Sequence, residues 1–397
     1  MFGWEFPPHN SGGLGTACFG LTRAMSSCEN TDIVFVLPKK VNVSSDFVKI
    51  IFADASAVLS DEDVSILSGY ITSGEYLLKK DETTVGLYGA TLLQEVKFYA
   101  NRAKEIARNE DFDVIHAHDW LSFLAGIEAK KISGKPLVLH VHATEFDRTG
   151  GQGVNQDVYD IEKYAMEKAD EIIAVSNFTK EKIVKYYNID PNKITVVHNG
   201  VDVSDFRELP PRLECVKKEG KQKIVLFVGR ITIQKGPEYF VRAAKKVLEY
   251  YPNALFVVAG SGDMQYQMMN EVADLGIGDK VIFTGFLRGD DLAALYQAAD
   301  LYVMPSVSEP FGIIPLETIA NNTPVIVSKQ TGVSEVLTHA LKVDFWDVDE
   351  MANKILGVLQ NDSLQKTLQE ESQKEVKKID WASSAKKVLD IYKKFFK

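Results

Sequence analysis

Cysteine is scarce in this chain. Cys18, Cys28 and Cys215 are the only three in 397 residues, an odd number without metal-type spacing, which argues against a disulfide framework or a zinc ribbon and predicts a reducing, cytoplasmic home. Long apolar runs are missing as well. No stretch reaches the ~18 uninterrupted apolar residues of a membrane span, and Met1 to Asn10 carry neither the positive segment nor the apolar core of a signal peptide. A chain that neither spans a membrane nor is exported is therefore expected. Positive charge is in deficit: 45 Lys and Arg against 55 Asp and Glu leave a net charge of −10, so a nucleic-acid partner, which selects a basic stripe, is not expected. With 45% hydrophobic and 25% charged residues the chain is neither disordered nor low in complexity. Its length exceeds what one ordinary core serves and predicts two domains.

Short β-rich runs alternate with helical patterns. Ile33–Leu37, Val48–Phe52, Val114–Ile115, Leu137–Leu139, Ile172–Val175 and Ile194–Val197 form one series. A second series follows a polar stretch at Asp205–Gln222, with runs at Ile224–Val228, Leu255–Ala259, Val281–Phe283, Leu301–Val303 and Val325–Val327. Strands apolar on both faces and separated by helices predict parallel sheets covered on both sides. The fold class is thus α/β, with two tandem Rossmann-like domains over residues 1–205 and 206–378. A last helix over 379–397 has Trp381, Ala385, Val388, Leu389, Tyr392, Phe395 and Phe396 on one face and is expected to dock on the protein.

Open α/β sheets bind ligands at the carboxyl ends of their strands. In the first domain those ends carry His116-Ala117-His118-Asp119-Trp120, His140-Val141-His142 and His198-Asn199-Gly200. Near the start, Gly12-Gly13-Leu14-Gly15 opens a helix whose bare amides suit an anion. No Gly-Lys-Ser/Thr follows, so this is not a Walker loop. In the second domain, Arg230 ends a strand and Lys235 precedes a helix that Pro237 begins. A forked guanidinium and a point-charge ammonium over a helix start, with Gly229 and Gly236 permitting close approach, are what a diphosphate leaving group requires. Glu309 and Glu317 flank Pro310-Phe311-Gly312-Ile313 after the strand at Leu301. Carboxylates beside the backbone amides of Gly312 and Ile313 can alternate acceptors with donors around sugar hydroxyls.

In their order along the chain, these motifs resemble those of the retaining glycosyltransferases of family 4, and His118-Asp119-Trp120 is similar to the same stretch in glycogen and starch synthases. The resemblance implies a GT-B fold, in which two Rossmann-like domains face one another across a cleft and the last helix returns to the first domain. It implies hexose transfer, with glucose from ADP-glucose or UDP-glucose onto an α-glucan as the expected reaction. Carried over, Arg230 and Lys235 hold the diphosphate, Glu309 the donor sugar and Glu317 the ribose, while His142 stands beside the transferred sugar. Gly12, Gly13 and the amides of Phe311, Gly312 and Ile313 contribute to donor binding, and Asp119, Trp120 and Asn199 line the sugar or acceptor side. No metal or other cofactor is implied, and the acceptor is a carbohydrate. Closure about a hinge near Asp202–Pro211 is expected on donor binding.

Two departures accompany the resemblance. The lysine of the bacterial Lys-x-Gly-Gly-Leu loop is Asn10 here, and only Met1–Trp4 precede Glu5-Phe6-Pro7-Pro8, less than the usual first strand of ~5 to 6 residues. Sucrose- or trehalose-type synthesis and mannosyl transfer are therefore alternatives on the same fold. An alternative of another class is a metal-dependent hydrolase, since His116 with His118 and His140 with His142 are i, i+2 pairs that could ligate a metal together with Asp119. Tyr70, Tyr76, Tyr88 and Tyr99 are candidates for stacking on sugar rings.

Overall fold

Both series of β-rich runs form parallel sheets. The computed structural model describes residues 1–9, 12–59, 92–151, 153–202 and 222–396, in two units: Met1–Gly200 with Trp381–Lys397, and Val201–Asp380. The first unit contains α1 (Gly13–Ser26), β1 (Val34–Val41), β2 (Lys49–Leu59), α2 (Leu92–Asn109), β3 (Ile115–His118), α3 (Trp120–Ser133), β4 (Leu137–Val141), α4 (Glu145–Arg148), α5 (Gln156–Lys168), β5 (Glu171–Ala174), α6 (Asn177–Tyr187) and β6 (Ile194–Val196). Every residue of β3, β4 and β5 is buried, the condition of a sheet with helices on both faces.

Met1–Gly3, too short on paper for a first strand, nevertheless fills the centre of this sheet. Phe2 makes parallel bridges to Val36 of β1 and Ala117 of β3. The Phe2 N–H donates to His116 O at 2.7 Å and the Gly3 N–H to Val36 O at 3.0 Å. The order is therefore β2-β1-(Phe2)-β3-β4-β5-β6, the doubly wound arrangement with its reversal beside β3. Tyr99 of α2 locks the segment, its hydroxyl donating to Gly3 O at 3.0 Å and Val36 O at 2.7 Å. That corrects its expected role: Tyr99 is 1% exposed and cannot stack on a sugar. Tyr70, Tyr76 and Tyr88 lie outside the described residues.

The final helix (Trp381–Lys393) belongs to the first unit and buries Ala385, Val388 and Ile391 in its core. Phe396, expected on the buried face, is 59% exposed, because the helix gives way to a 3-10 turn at Lys394–Phe396.

The second unit contains β7 (Lys223–Val228), α7 (Pro237–Tyr250), β8 (Ala254–Ala259), α8 (Gln265–Asp274), β9 (Val281–Gly285), α9 (Gly289–Ala298), β10 (Leu301–Met304), α10 (Ile314–Ala320), β11 (Val325–Ser328), β12 (Leu341–Val343), α11 (Val348–Gln360) and α12 (Asp362–Val376). Its strand order, β12-β11-β10-β7-β8-β9, is again doubly wound, with the reversal between β7 and β10. Residues 203–211 of the expected hinge lie outside the described residues. Among the described residues, no helix is long and apolar enough to cross a membrane.

Candidate active site

The carboxyl ends of β3 and β4 carry a ladder of four imidazoles. These strands are parallel neighbours, with His118 paired in register to His140. Alternation within each strand turns both of its histidines to one face, so His116 stacks on His118 at 4.3 Å and His140 on His142 at 4.2 Å between ring centroids. The rungs are hydrogen bonds: His116 Nε2 to His140 Nδ1 at 3.2 Å and His118 Nδ1 to His142 Nε2 at 3.0 Å. The Tyr392 hydroxyl of the final helix closes one end on His116 Nδ1. Burial and mutual proximity hold His116, His118 and His140 neutral, well below the ordinary histidine range, and burial lowers His142 to about 3. Three buried ring atoms have no partner: His118 Nε2, His140 Nε2 and His142 Nδ1.

Asp119 does not join the histidines as the hydrolase reading required. Its backbone adopts a left-handed φ of 60°, and its Oδ1 accepts the N–H of His142 at 2.6 Å and of Ala143 at 3.2 Å. Burial raises its carboxyl to about 7, against the pull of Arg148 and these two amides. Among the described residues, the groups with ligand atoms within 4.8 Å of one another are Cys18–His118–His142 and His116–His118–His140. Trp120 is packed in the core at 4% exposed, and Asn199 is also buried. Gly12 is the extended N-cap of α1, and Gly13, its first residue, faces open space where a Cβ would touch nothing within 4 Å.

A charged network below His142 was not foreseen. Arg148 Nε donates to Glu145 Oε2 at 3.1 Å and its Nη1 to Ala143 O at 3.1 Å, while Nη2 pairs with Glu162, which also accepts from the Tyr187 hydroxyl. Thr144 and Asp147 cap α4 reciprocally. The Thr-x-x-Asp spacing was the available signal for the cap. Glu162 and Tyr187 enter only through tertiary packing.

In the second unit the candidate side chains follow β7 and β10, the two strands at the reversal. β7 runs into Gly229-Arg230, a 3-10 turn at Ile233–Lys235 and then α7, with Pro237 in its first turn. Lys235 Nζ pairs with the Glu309 carboxylate, which follows β10. Arg230 Nη2 lies 3.4 Å from Gln234 Oε1, and the Val307 N–H donates to Gln234 O at 2.9 Å, tying the two loops together. Gly236 is left-handed at φ 62°, and a Cβ there would lie 2.3 Å from Pro305 O. Glu309 Cγ lies 3.0 Å from where a Cβ on Gly312 would stand, and the φ of 93° there favours glycine. Phe311 is buried, whereas Ile313 is half-buried just before α10. Glu317 accepts from the Tyr296 hydroxyl at 3.1 Å, and burial pushes its carboxyl above the usual range.

Two further loops shape this end of the sheet. Gly260-Ser261-Gly262 follows β8, and a Cβ at Gly260 would fall 1.9 Å from Gly229 O, one at Gly262 2.3 Å from Ile231 O. Their Gly-x-Gly spacing at a strand end was the legible sign. Thr331–Val333 grips the other side: the Gly332 N–H donates to Glu309 O at 2.9 Å and the Val333 N–H to Phe311 O at 2.7 Å. Thr232 Oγ1, after β7, and Ser306 Oγ, after β10, are buried without a hydrogen-bond partner among the described residues.

Comparison with known proteins matches the same two regions. The profile of the glycosyl transferases group 1 family matches residues 214–375 and that of glycosyltransferase family 4 residues 82–205. An uncharacterized glycosyltransferase of Methanocaldococcus jannaschii is 31% identical, the match covering 99% of this chain and 97% of its own. The glycogen synthase of Mycobacterium tuberculosis is 25% identical over 99% of this chain and 93% of its own. Among solved structures, Anabaena HepE in complex with UDP-glucose superposes with a TM-score of 0.73 at 16% identity, covering 99% of each chain.

Proposed function

This chain belongs to the group 1 glycosyltransferases of the GT-B fold, and from that premise we propose that it transfers a hexose, with retention, from a nucleoside-diphosphate sugar to a carbohydrate. The specific reaction proposed is elongation of an α-glucan with glucose from ADP-glucose or UDP-glucose. One observation carries the reading: Lys235 and Glu309 pair across the strand-order reversal of the second unit, where a doubly wound sheet binds its ligand, with Arg230 against Gln234 in the β7 loop and Glu317 on the helix that follows β10. Similarity to a glycogen synthase over nearly the whole chain supports glucose as the sugar.

Arg230 and Lys235 bind the diphosphate and offset the charge that develops as the nucleotide leaves, the work that a divalent ion does elsewhere. Lys235 turns from Glu309 to phosphate when the donor arrives, releasing the carboxylate for sugar hydroxyls. Glu317 takes the ribose. Retention follows from front-face attack: the bond from the anomeric carbon to the phosphate oxygen breaks, and a bond to the acceptor oxygen forms on the same face. The departing phosphate oxygen takes the acceptor's proton. Asn10 in place of the glycogen-synthase lysine favours a second reading, in which the acceptor is a small sugar or sugar phosphate.

The test is a thermal-shift panel of ADP-glucose, UDP-glucose, GDP-mannose and UDP-N-acetylglucosamine with and without chelator, followed by transfer to a glucan primer and NMR of the new linkage. A shift with one sugar nucleotide that survives the chelator, and an α-linked product, are expected. Lys235→Ala is expected to lower turnover by about 100-fold or more while the protein stays folded. Unchanged turnover in that variant removes the site assignment.

A further inference from the structure

We propose that His118 is the positioning residue of His142, fixing its ring orientation and tying its tautomer to its own, so that Nδ1 is the one nitrogen it offers a ligand. The inference rests on the proposed function, with His142 beside the transferred sugar as the family resemblance implies, and concerns what holds it there. Stacking on His140 at 4.2 Å sets the plane of the His142 ring, yet a stacked imidazole keeps its plane when it flips end for end. Only a directional contact chooses which nitrogen points where. That contact is the 3.0 Å bond from His118 Nδ1 to His142 Nε2. It leaves His142 Nδ1 buried and unpartnered, and a polar atom in that condition is sustained by what binds there. Both rings are held neutral by burial, so a single proton lies between them and the tautomer of one dictates that of the other.

Asp119 completes the device. Successive residues of a strand point to opposite faces, so His118 and Asp119 would ordinarily reach different targets. The left-handed φ of 60° at Asp119 returns its carboxylate to the His142 amide, 2.6 Å away. Two neighbouring side chains thus hold one residue, by its ring and by its backbone. A strained backbone in a non-glycine residue persists where its surroundings over-determine it, and here they do.

The experiment uses the full-length protein with nitrogen-15 histidine, His142 being assigned by the signal lost in His142→Ala. Nitrogen shifts of one tautomer are expected in the wild type. His118→Phe keeps the stacking surface and removes the bond. It is expected to give averaged His142 nitrogen shifts and a kcat about 10-fold lower, with KM for the sugar nucleotide within about twofold. His118→Asn, whose amide falls where Nδ1 lies, is expected to restore one tautomer and most of kcat. His118→Gln, whose amide falls where Nε2 lies, is not.

Unchanged His142 shifts in His118→Phe overturn the proposal. Should that variant not fold, equal behaviour of the Asn and Gln variants overturns it. Cobalt(II) added to the wild type gives a second check: a thiolate-to-metal band from Cys18 with loss of the His118 and His142 signals would make these three a metal site and overturn it as well. Full transfer by His142→Ala would instead remove His142 from the proposed function, while the nitrogen shifts still decide whether His118 orients it.

Discussion

Gly236 shows at the scale of one residue how the donor end is held together. Its left-handed backbone ends the turn that carries Lys235, and the space for its missing Cβ is taken by Pro305 O, 2.3 Å away. An alanine there incurs about 1–2 kcal/mol for the left-handed conformation, and a backbone oxygen cannot swing aside as a flexible side chain does. Gly236→Ala is therefore expected to lower stability by about 2 kcal/mol or more and to weaken sugar-nucleotide binding at least about tenfold, since Lys235 and Glu309 part with the loops. Urea unfolding and a donor titration check both effects. Gly278→Ala, where a Cβ meets nothing within 4 Å, is the matched control and should stay within about 0.5 kcal/mol. Lys235 and Glu309 were legible as candidates because glycine and proline mark their strand ends. That they pair with each other was not, because the contact spans 74 residues and exists only once β7 and β10 are neighbours. Asp119 was read as a group facing sugar, and its turn toward the His142 amide depends on a backbone angle that no residue pattern encodes.

Elements were legible in proportion to their length and periodicity. The alternating series located β1 to β11, and Pro237 marked the start of α7. β12 was missed, since Leu341-Lys342-Val343 is too brief to stand out and is a strand because β11 offers it an edge. Phe2 is the sharper case: three residues act as a central strand because β1 and β3 supply partners on both sides. The final helix was legible from its apolar face, but not its seat. Its Trp381 ring lies where a Cβ on Gly20 of α1 would stand, at 2.3 Å, so the glycine admits the indole and the helix brings Tyr392 to His116. Gly20→Ala is expected to lift Trp381 and cost about 1–3 kcal/mol, as overpacking does. Adding Trp381→Phe should recover part of that loss, a coupling that a double-mutant cycle in denaturant measures. Additive effects of the two changes would mean that the seat is elsewhere.

For the whole molecule, the buried titratable groups set how stability answers pH. His116, His118 and His140 are held well below, and His142 lowered to about 3 from, an unfolded value near 6.5. Their contribution is present above pH 6.5 and is lost as pH falls, because the unfolded chain takes up protons that the ladder refuses. Each adds a slope of about 1.4 kcal/mol per pH unit in that window. Carboxylates act against them. Asp119, raised to about 7, and Glu162 and Glu317, also raised, bind protons in the folded state first, so their part of the stability grows as pH falls below their folded values. The histidines and the carboxylates pull in opposite directions, and the buried Met1 amine, lowered to about 5, adds to the histidines, so a simple pH scan does not isolate the ladder. A difference between variants exposes it. Among the described residues, the His140 ring bonds to His116 alone, and replacing it with phenylalanine keeps the stack while deleting one proton of linkage. The stability gap between wild type and His140→Phe is expected to move by about 1.4 kcal/mol per pH unit in the variant's favour between pH 6 and 5, and to stay flat between 7.5 and 8.5. Tryptophan fluorescence during urea unfolding reads it, since Trp4, Trp120 and Trp381 all belong to the first unit and only Trp346 to the second. A gap that does not change below pH 6 would mean that His140 protonates as readily in the folded protein as in the unfolded chain, and that the ladder is not the neutral stack on which the orientation of His142 depends.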